Sequence, residues 1–185
     1  MQYVLLLRGI NLGKQNKVSM IVLKKQLIDL GFLDVVSYLN TGNILFKTDK
    51  GVQEIVDLIS ELFRTSYSFN IPFVVISSNE IMQDFKKLPN WWWNNNSYRR
   101  DALFYLRETN REIITEIIEN QWDTNDLKFF IGETALFVIS NSKEEYQSSL
   151  HSKKIMKSPF NKIVTLRNNN TFNNVIKLLI DKSNC

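Results

Sequence analysis

The sequence predicts an α+β protein of two ferredoxin-like subdomains, each βαββαβ in order, packed in one compact unit and followed by a C-terminal helix. Three observations support this reading. Short β-rich runs alternate with helical patterns, so neither an all-α nor an all-β architecture fits. The order βαββαβ is completed twice along the 185 residues. The runs Val4-Leu5-Leu6-Leu7-Arg8 and Leu103-Phe104-Tyr105-Leu106-Arg107 also echo one another, each an apolar strand ending in arginine. The organisation implied is an N-terminal subdomain over 1–77, a connecting helix and tryptophan-rich loop over 78–100, and a C-terminal subdomain over 101–185.

Tyr3–Arg8 reads as a buried strand, apolar at every position but the last. Met20, Leu23, Leu27 and Leu30 recur at helical spacing and form one apolar stripe. Ser19 is the expected N-cap of that helix and Gly31 its expected left-handed C′ residue. Val35–Leu39 and Ile44–Phe46 are β-rich and separated by Asn40-Thr41-Gly42-Asn43, a hairpin signal. Ile55, Leu58, Ile59, Leu62 and Phe63 mark the second helix, and Phe73–Ile76 completes the unit. Pro72 cannot donate to a ladder, which suits an edge strand there.

In the second half, Ser77 and Glu80 have capping-box spacing for a helix carrying Ile81, Phe85 and Leu88, ended by Pro89. A loop over 90–100 leads to a strand at Ala102–Arg107. Ile113, Ile114, Ile117 and Ile118 mark a helix, and Leu127–Ile131 with Thr134–Ile139 a hairpin around Gly132-Glu133. A polar stretch of weak helical character, Lys143–Ser158, precedes a strand at Lys162–Leu166. Val175, Leu178 and Leu179 belong to the terminal helix.

Composition narrows the function by exclusion. Hydrophobic residues make up 44% and charged residues 23%, average usage that supports a real core. The apolar runs are far too short to cross a bilayer, and no membrane partner is expected. Arg8 interrupts the first of them where the apolar region of a secretory signal would continue. A single cysteine, Cys185, permits no intrachain disulfide and is compatible with a reducing, cytoplasmic setting. With one histidine, His151, the chain offers no metal cluster, and no nucleophile motif accompanies that residue. Catalytic residues and cofactors stay unassigned, and the sequence does not decide whether the chain is an enzyme. Net charge is +4, unevenly spread: Lys153, Lys154, Lys157, Lys162, Arg167 and Lys177 lie between Tyr146 and Ile180 without an acidic residue. Such a segment is either a solvated basic face or one that meets phosphate or RNA.

The densest group of candidate contact residues lies in two polar loops, Arg8-Gly9-Ile10-Asn11-Leu12-Gly13-Lys14 and Asn40-Thr41-Gly42-Asn43. In a split-βαβ sheet the third strand lies between the first two, antiparallel to both, and the crossover is right-handed. The end of strand one, the turn between strands two and three, and the start of the first helix then share one edge. Arg8, Asn11 and Lys14 should therefore face Asn40, Thr41 and Asn43. Arg8 and Lys14 would supply charge to an anion there, Asn11 and Asn43 directional bonds, and Gly9, Gly13 and Gly42 close backbone approach. The same residues admit a structural reading, with glycines for tight turns and Arg8 and Asn11 bonding nearby carbonyls. A nucleotide-hydrolysing phosphate loop does not fit. Gly9–Lys14 is one residue short of the required spacing, and Gln15 stands where a hydroxyl would hold Mg²⁺.

Leu6-Leu7-Arg8-Gly9-Ile10-Asn11-Leu12-Gly13, the helix opening at Met20, the Gly31-Phe32 break and the Thr41-Gly42-Asn43 turn resemble a bacterial family designated domain of unknown function 1697. That family usually shows Ser-Gly-Asn at the turn and a second glycine after its Arg-Gly-Ile-Asn-Val-Gly run, where this chain has Thr41 and Lys14. Its late Arg-Asn-Trp-Asn-Thr signature is matched by Arg167-Asn168-Asn169-Asn170-Thr171, with Asn169 replacing tryptophan. Arg167, Asn168, Asn170 and Thr171 are accordingly secondary site candidates; the asparagines can cap the last helix, and Arg167 is placed to bridge the two halves. The resemblance covers nearly the whole chain and implies two subdomains similar to ferredoxin-like plaits. It implies no activity, since the family has no established substrate or catalytic residues.

Trp91-Trp92-Trp93, followed by Asn94-Asn95-Asn96 and Tyr98-Arg99-Arg100, can stack bases or plug the junction between two subdomains. Three readings follow: a small anionic ligand at the two loops, nucleic acid on the basic face and tryptophan loop, or a non-catalytic module that docks another chain. Oligomeric state is not legible.

Overall fold

The structure, a computed structural model, describes residues 1–93, 96–106, 109–121, 128–148 and 162–183. The chain divides into two units, Met1–Asn79 with Asn174–Cys185, and Glu80–Asn173. In the first, β1 (Gln2–Leu7), α1 (Met20–Asp29), β2 (Leu33–Tyr38), β3 (Asn43–Lys47), α2 (Val52–Ser66) and β4 (Phe73–Ser77) follow in the predicted order. The sheet runs β2-β3-β1-β4 with every neighbouring pair antiparallel. β1 and β2 are thus parallel with β3 between them, and β4 is an edge strand, as Pro72 requires.

Tyr3–Leu7 is apolar throughout because both faces of β1 are covered. Tyr3, Leu5 and Leu7 pack with Leu23 and Leu27 of α1 and with Ile55, Ile59 and Phe63 of α2. Val4 and Leu6, pointing the other way, are equally buried. Each such leucine contributes about 2 kcal/mol. The ends of α1 are set by local chemistry. The Ser19 side chain accepts from the Val22 amide, and the Gly31 and Phe32 amides donate back to Ile28 and Leu27 at 2.8 and 3.2 Å. That Schellman closure needs the left-handed turn at Gly31 and brings Phe32 onto Phe46, ring centroids 4.5 Å apart.

The second unit repeats the topology. After α3 (Ser78–Lys87) and a short 3₁₀ turn (Asn90–Trp93) come β5 (Arg99–Tyr105), α4 (Arg111–Gln121), β6 (Lys128–Ile131), β7 (Ala135–Ser140), α5 (Lys143–Ser148), β8 (Val164–Asn168) and α6 (Asn169–Ser183). Its sheet order, β6-β7-β5-β8, matches that of the first. Leu103, Tyr105, Leu136, Val138 and Val164 form a core with Ile114 and Ile118 of α4. The fold class read from the sequence is therefore present: two four-stranded antiparallel sheets among the described residues, each with helices, and a C-terminal helix.

Every strand is displaced from its expected bounds by at least one residue at one end, β2 by two at its start (Leu33, not Val35), and β5 and β8 are displaced most. β5 starts at Arg99 rather than Ala102, since the Asp101 carboxylate, although buried, takes a bond from Arg99 Nε at 2.5 Å and the polar start can pair with β7. β8 runs Val164–Asn168 rather than Lys162–Leu166, placing Arg167 and Asn168 opposite Ala102 and Asp101. Asp84 of α3 is fully buried and holds the β6–β7 turn. Its carboxylate accepts from the Glu133 amide (2.8 Å), the Thr134 amide (2.8 Å) and Thr134 Oγ1 (2.6 Å). A Cβ on Gly132 would lie 2.6 Å from that carboxylate.

The tryptophan loop splits by position. Trp92 is wholly buried, edge-on to Phe137 and Phe172 at 5.2 and 5.9 Å, whereas Trp93 is 42% exposed. Asn94, Asn95, Arg107, Leu127, His151, the basic Lys153, Lys154 and Lys157, the later part of the Lys143–Ser158 stretch, and Cys185 lie outside the described residues.

Candidate functional site

Residues 8–19 connect β1 to α1, and four of them take left-handed backbone: Gly9, Asn11, Gly13 and Asn16. The loop closes on itself through polar groups. The Asn11 amide donates to the Asn16 carbonyl (2.9 Å), Asn16 Nδ2 to that of Gly9 (3.2 Å), and Lys17 Nζ to that of Gly13 (2.7 Å). Asn11 Oδ1 accepts from the Val18 amide at 2.9 Å. Its Nδ2 donates to the Val18 carbonyl (2.9 Å) and, across to the β2–β3 hairpin, to the Asn40 carbonyl (2.8 Å). Beside it the Leu7 amide donates to the Gly42 carbonyl at 2.8 Å. The two loops therefore meet along one rim of the first sheet, as the topology predicts.

Asn43 is fully buried at the start of β3, and its Nδ2 donates to the Tyr38 carbonyl (2.9 Å) and to Thr41 Oγ1 (3.0 Å). A primary amide has two N–H donors. In Asn11 and in Asn43 both are spent inside the fold, so these residues brace the rim. Gly9, Gly13, Lys14, Asn40 and Thr41 are exposed; Gly42 is buried.

Arg8 behaves differently. Its amide donates to the Pro72 carbonyl at 2.8 Å. The side chain is half-buried, its guanidinium makes no hydrogen bond or ion pair among the described residues, and burial lowers its pKa. Along the chain the charge here is one-sided: Arg8, Lys14, Lys17, Lys24 and Lys25 precede the first acidic residue, Asp29. Leu12 and Leu39, both more than half exposed, put apolar side chains on the same two loops. Leu12 carried no signal in the sequence, and Leu39, read there as the end of the strand Val35–Leu39, instead follows β2 in left-handed backbone.

The secondary candidates separate. Arg167 is buried, donates from Nη1 to Thr165 Oγ1 (2.9 Å) and to the Leu166 carbonyl (2.8 Å), and has its pKa pushed down to about 10 by burial. Asn168 Oδ1 accepts from the Thr171 amide at 2.9 Å, the expected cap of α6, and Thr171 itself is buried. Asn168 and Asn170 line a cavity of about 450 Å³ with Arg99 and Arg100. In the first unit an aromatic cleft of about 380 Å³ opens between Phe63, Tyr67, Phe69 and Phe73. Among the described residues no group of three or more His, Cys, Asp or Glu side chains is placed to hold a metal, and no helix is long and apolar enough to cross a membrane.

The structure is similar to that of a conserved bacterial protein, SP0830 from Streptococcus pneumoniae, with a TM-score of 0.88 and 31% sequence identity over 96% of this chain and 98% of that one. No curated protein matches the chain. The profile of DUF1697, a protein family of unknown function, matches residues 1–137, a span that contains both loops of the rim. The chain belongs to the DUF1697 family.

Proposed function

We propose that the protein binds a small anionic or phosphate-bearing ligand, in the cytoplasm, at the rim formed by Arg8–Lys14 and Asn40–Asn43. One observation carries the reading: Arg8 is a half-desolvated guanidinium with no counter-charge among the described residues. Partial burial of an unpaired cation is unfavourable, and a phosphate or carboxylate accepting two parallel N–H bonds offsets that cost. Exposed Lys14 adds a mobile charge, and Gly9 and Gly13 leave the backbone open to close approach. Asn11 and Asn43 act by holding the two loops in register, not by touching the ligand.

The test is a thermal-shift screen of inorganic phosphate, nucleotides and phosphorylated metabolites. A ligand at one hundred times its Kd should stabilise the protein by about 2.7 kcal/mol. Arg8→Ala should abolish that shift, and Lys14→Ala should weaken binding several-fold and flatten its salt dependence. A screen without hits, or hits that Arg8→Ala leaves intact, overturns the reading.

A further inference from the structure

We propose a second ligand site, in the Glu80–Asn173 unit, that takes a mononucleotide with its phosphate on Arg99 and Arg100 and its base against Tyr98. The cavity of about 450 Å³ is lined by Ser97, Tyr98, the two arginines and the asparagines that open α6. That volume lies in the range of small-molecule pockets. Among the described residues none that lines it is acidic.

Both arginines are held before any ligand arrives. Arg99 Nε donates to Asp101 Oδ2 at 2.5 Å, and its guanidinium lies 4.5 Å from the Tyr146 ring centroid. Arg100 Nη1 donates to the Trp92 carbonyl at 2.5 Å. Each of these bonds uses one of the five N–H donors of a guanidinium, so donors remain on both. Asp101 offsets the charge of Arg99, whereas Arg100 has no acidic partner among the described residues. The cavity therefore keeps a net positive charge on groups whose ordering entropy is already spent, the condition that favours tight anion binding.

Tyr98 explains why the ligand carries a ring. It lines the cavity with the arginines and its ring meets that of Tyr146 at 6.1 Å between centroids, yet it is 52% exposed, so part of a large aromatic side chain stays open. Stacking on such a face is sequence-tolerant and suits a nucleobase. Asn168 also lines the cavity; its Oδ1 is taken by the Thr171 amide, which leaves its Nδ2 as the group that can meet a sugar hydroxyl or base edge. The site shares no residue with the Arg8 rim.

Isothermal titration with adenosine monophosphate, inorganic phosphate and adenosine tests the assignment. The monophosphate should bind roughly ten-fold more tightly than phosphate, with adenosine undetectable. Arg100→Ala should lower both phosphate-bearing affinities at least ten-fold. Tyr98→Ser, at an exposed position, should bring the monophosphate down to the level of phosphate and leave phosphate unchanged. Because the Arg8 rim would itself take phosphate, these titrations are run on the Arg8→Ala protein, in which binding at this site should persist; that separates it from the rim. Because Arg100 also holds the Trp92 carbonyl, near-ultraviolet dichroism of the tryptophans must be unchanged in the Tyr98 variant, whose result then decides. The assignment is overturned by equal affinity for phosphate and monophosphate, by loss of binding in Arg8→Ala but not Arg100→Ala, or by affinity that keeps rising with oligonucleotide length.

Discussion

Gly42→Ala adds one methyl group where the rim has no room for it. Gly42 has φ +75°, and a Cβ there would lie 2.5 Å from Leu7 Cβ, 2.8 Å from Leu7 Cγ and 3.1 Å from Ile10 Cδ1. Leu7 Cβ cannot swing away, because it is fixed to the backbone of β1 and Leu7 is 1% exposed. The methyl can be admitted only by lifting the hairpin off β1, which stretches the Leu7–Gly42 hydrogen bond. Left-handed backbone costs an alanine about 1–2 kcal/mol. Overpacking adds about 1–3 kcal/mol, and loss of the hydrogen bond about 1 kcal/mol. The sum, roughly 3–6 kcal/mol, is a large share of a stability of order 5–15 kcal/mol. Gly13→Ala is the control, since Gly13 is also left-handed (φ +57°) but nothing lies within 4 Å of its Cβ position. It should cost only the backbone part, about 1–2 kcal/mol. Urea denaturation of both variants followed by far-ultraviolet dichroism measures the difference. Equal destabilisation within about 0.5 kcal/mol would show that the hairpin is not seated on Leu7, and the account of the rim would fail.

Asn11→Ala removes three side-chain hydrogen bonds, to both backbone groups of Val18 and to the Asn40 carbonyl, and should cost about 2–4 kcal/mol. The Val18 amide should at the same time lose protection from hydrogen exchange, and unchanged protection would contradict the bracing role. Asp101 governs a pH effect of unusual sign. Burial holds its carboxyl above the ordinary value of 3.8 although Arg99 pulls the other way. From that value upward, to the raised folded pKa, the native state binds more protons than the unfolded chain, so this residue's contribution to stability falls as pH rises. Asp101→Asn should remove that downward component from a plot of urea midpoint against pH; identical curves for the two proteins would refute it.

Where local chemistry decides the structure, the sequence was readable. Ser19 and Gly31 delimit α1 because capping groups act within a single turn, and Pro72 marks an edge strand because a missing N–H is a local fact. The meeting of the two loops was also readable, since right-handed crossover leaves no other place for them. Strand ends were not. Arg99, Arg100 and Asp101 look like loop residues; the bond from half-buried Arg99 to buried Asp101 and the facing strands β7 and β8 make them β5. The same holds for Arg167 in β8, whose Nη1 bonds to Thr165 and Leu166 of its own strand. Asn11 and Asn43 show a deeper ambiguity. An asparagine that braces a turn and one that holds a ligand use the same donors, and sequence does not reveal where those donors are spent. Asp84 gave no signal at all, being one carboxylate on an otherwise ordinary amphipathic helix.

Asp84 also bears on the order in which this chain assembles. A hairpin on a tight turn ordinarily closes by itself within microseconds. The turn between β6 and β7 is short, yet its Glu133 and Thr134 amides find their acceptor 49 and 50 residues earlier. Until α3 docks, those amides lack this acceptor, so the turn gains its full set of bonds only once a contact 49 and 50 residues apart in sequence has formed. During synthesis α3 emerges first. The acceptor for the turn is thus made before the turn itself, and the bonds that finish the hairpin join a late segment to an early one.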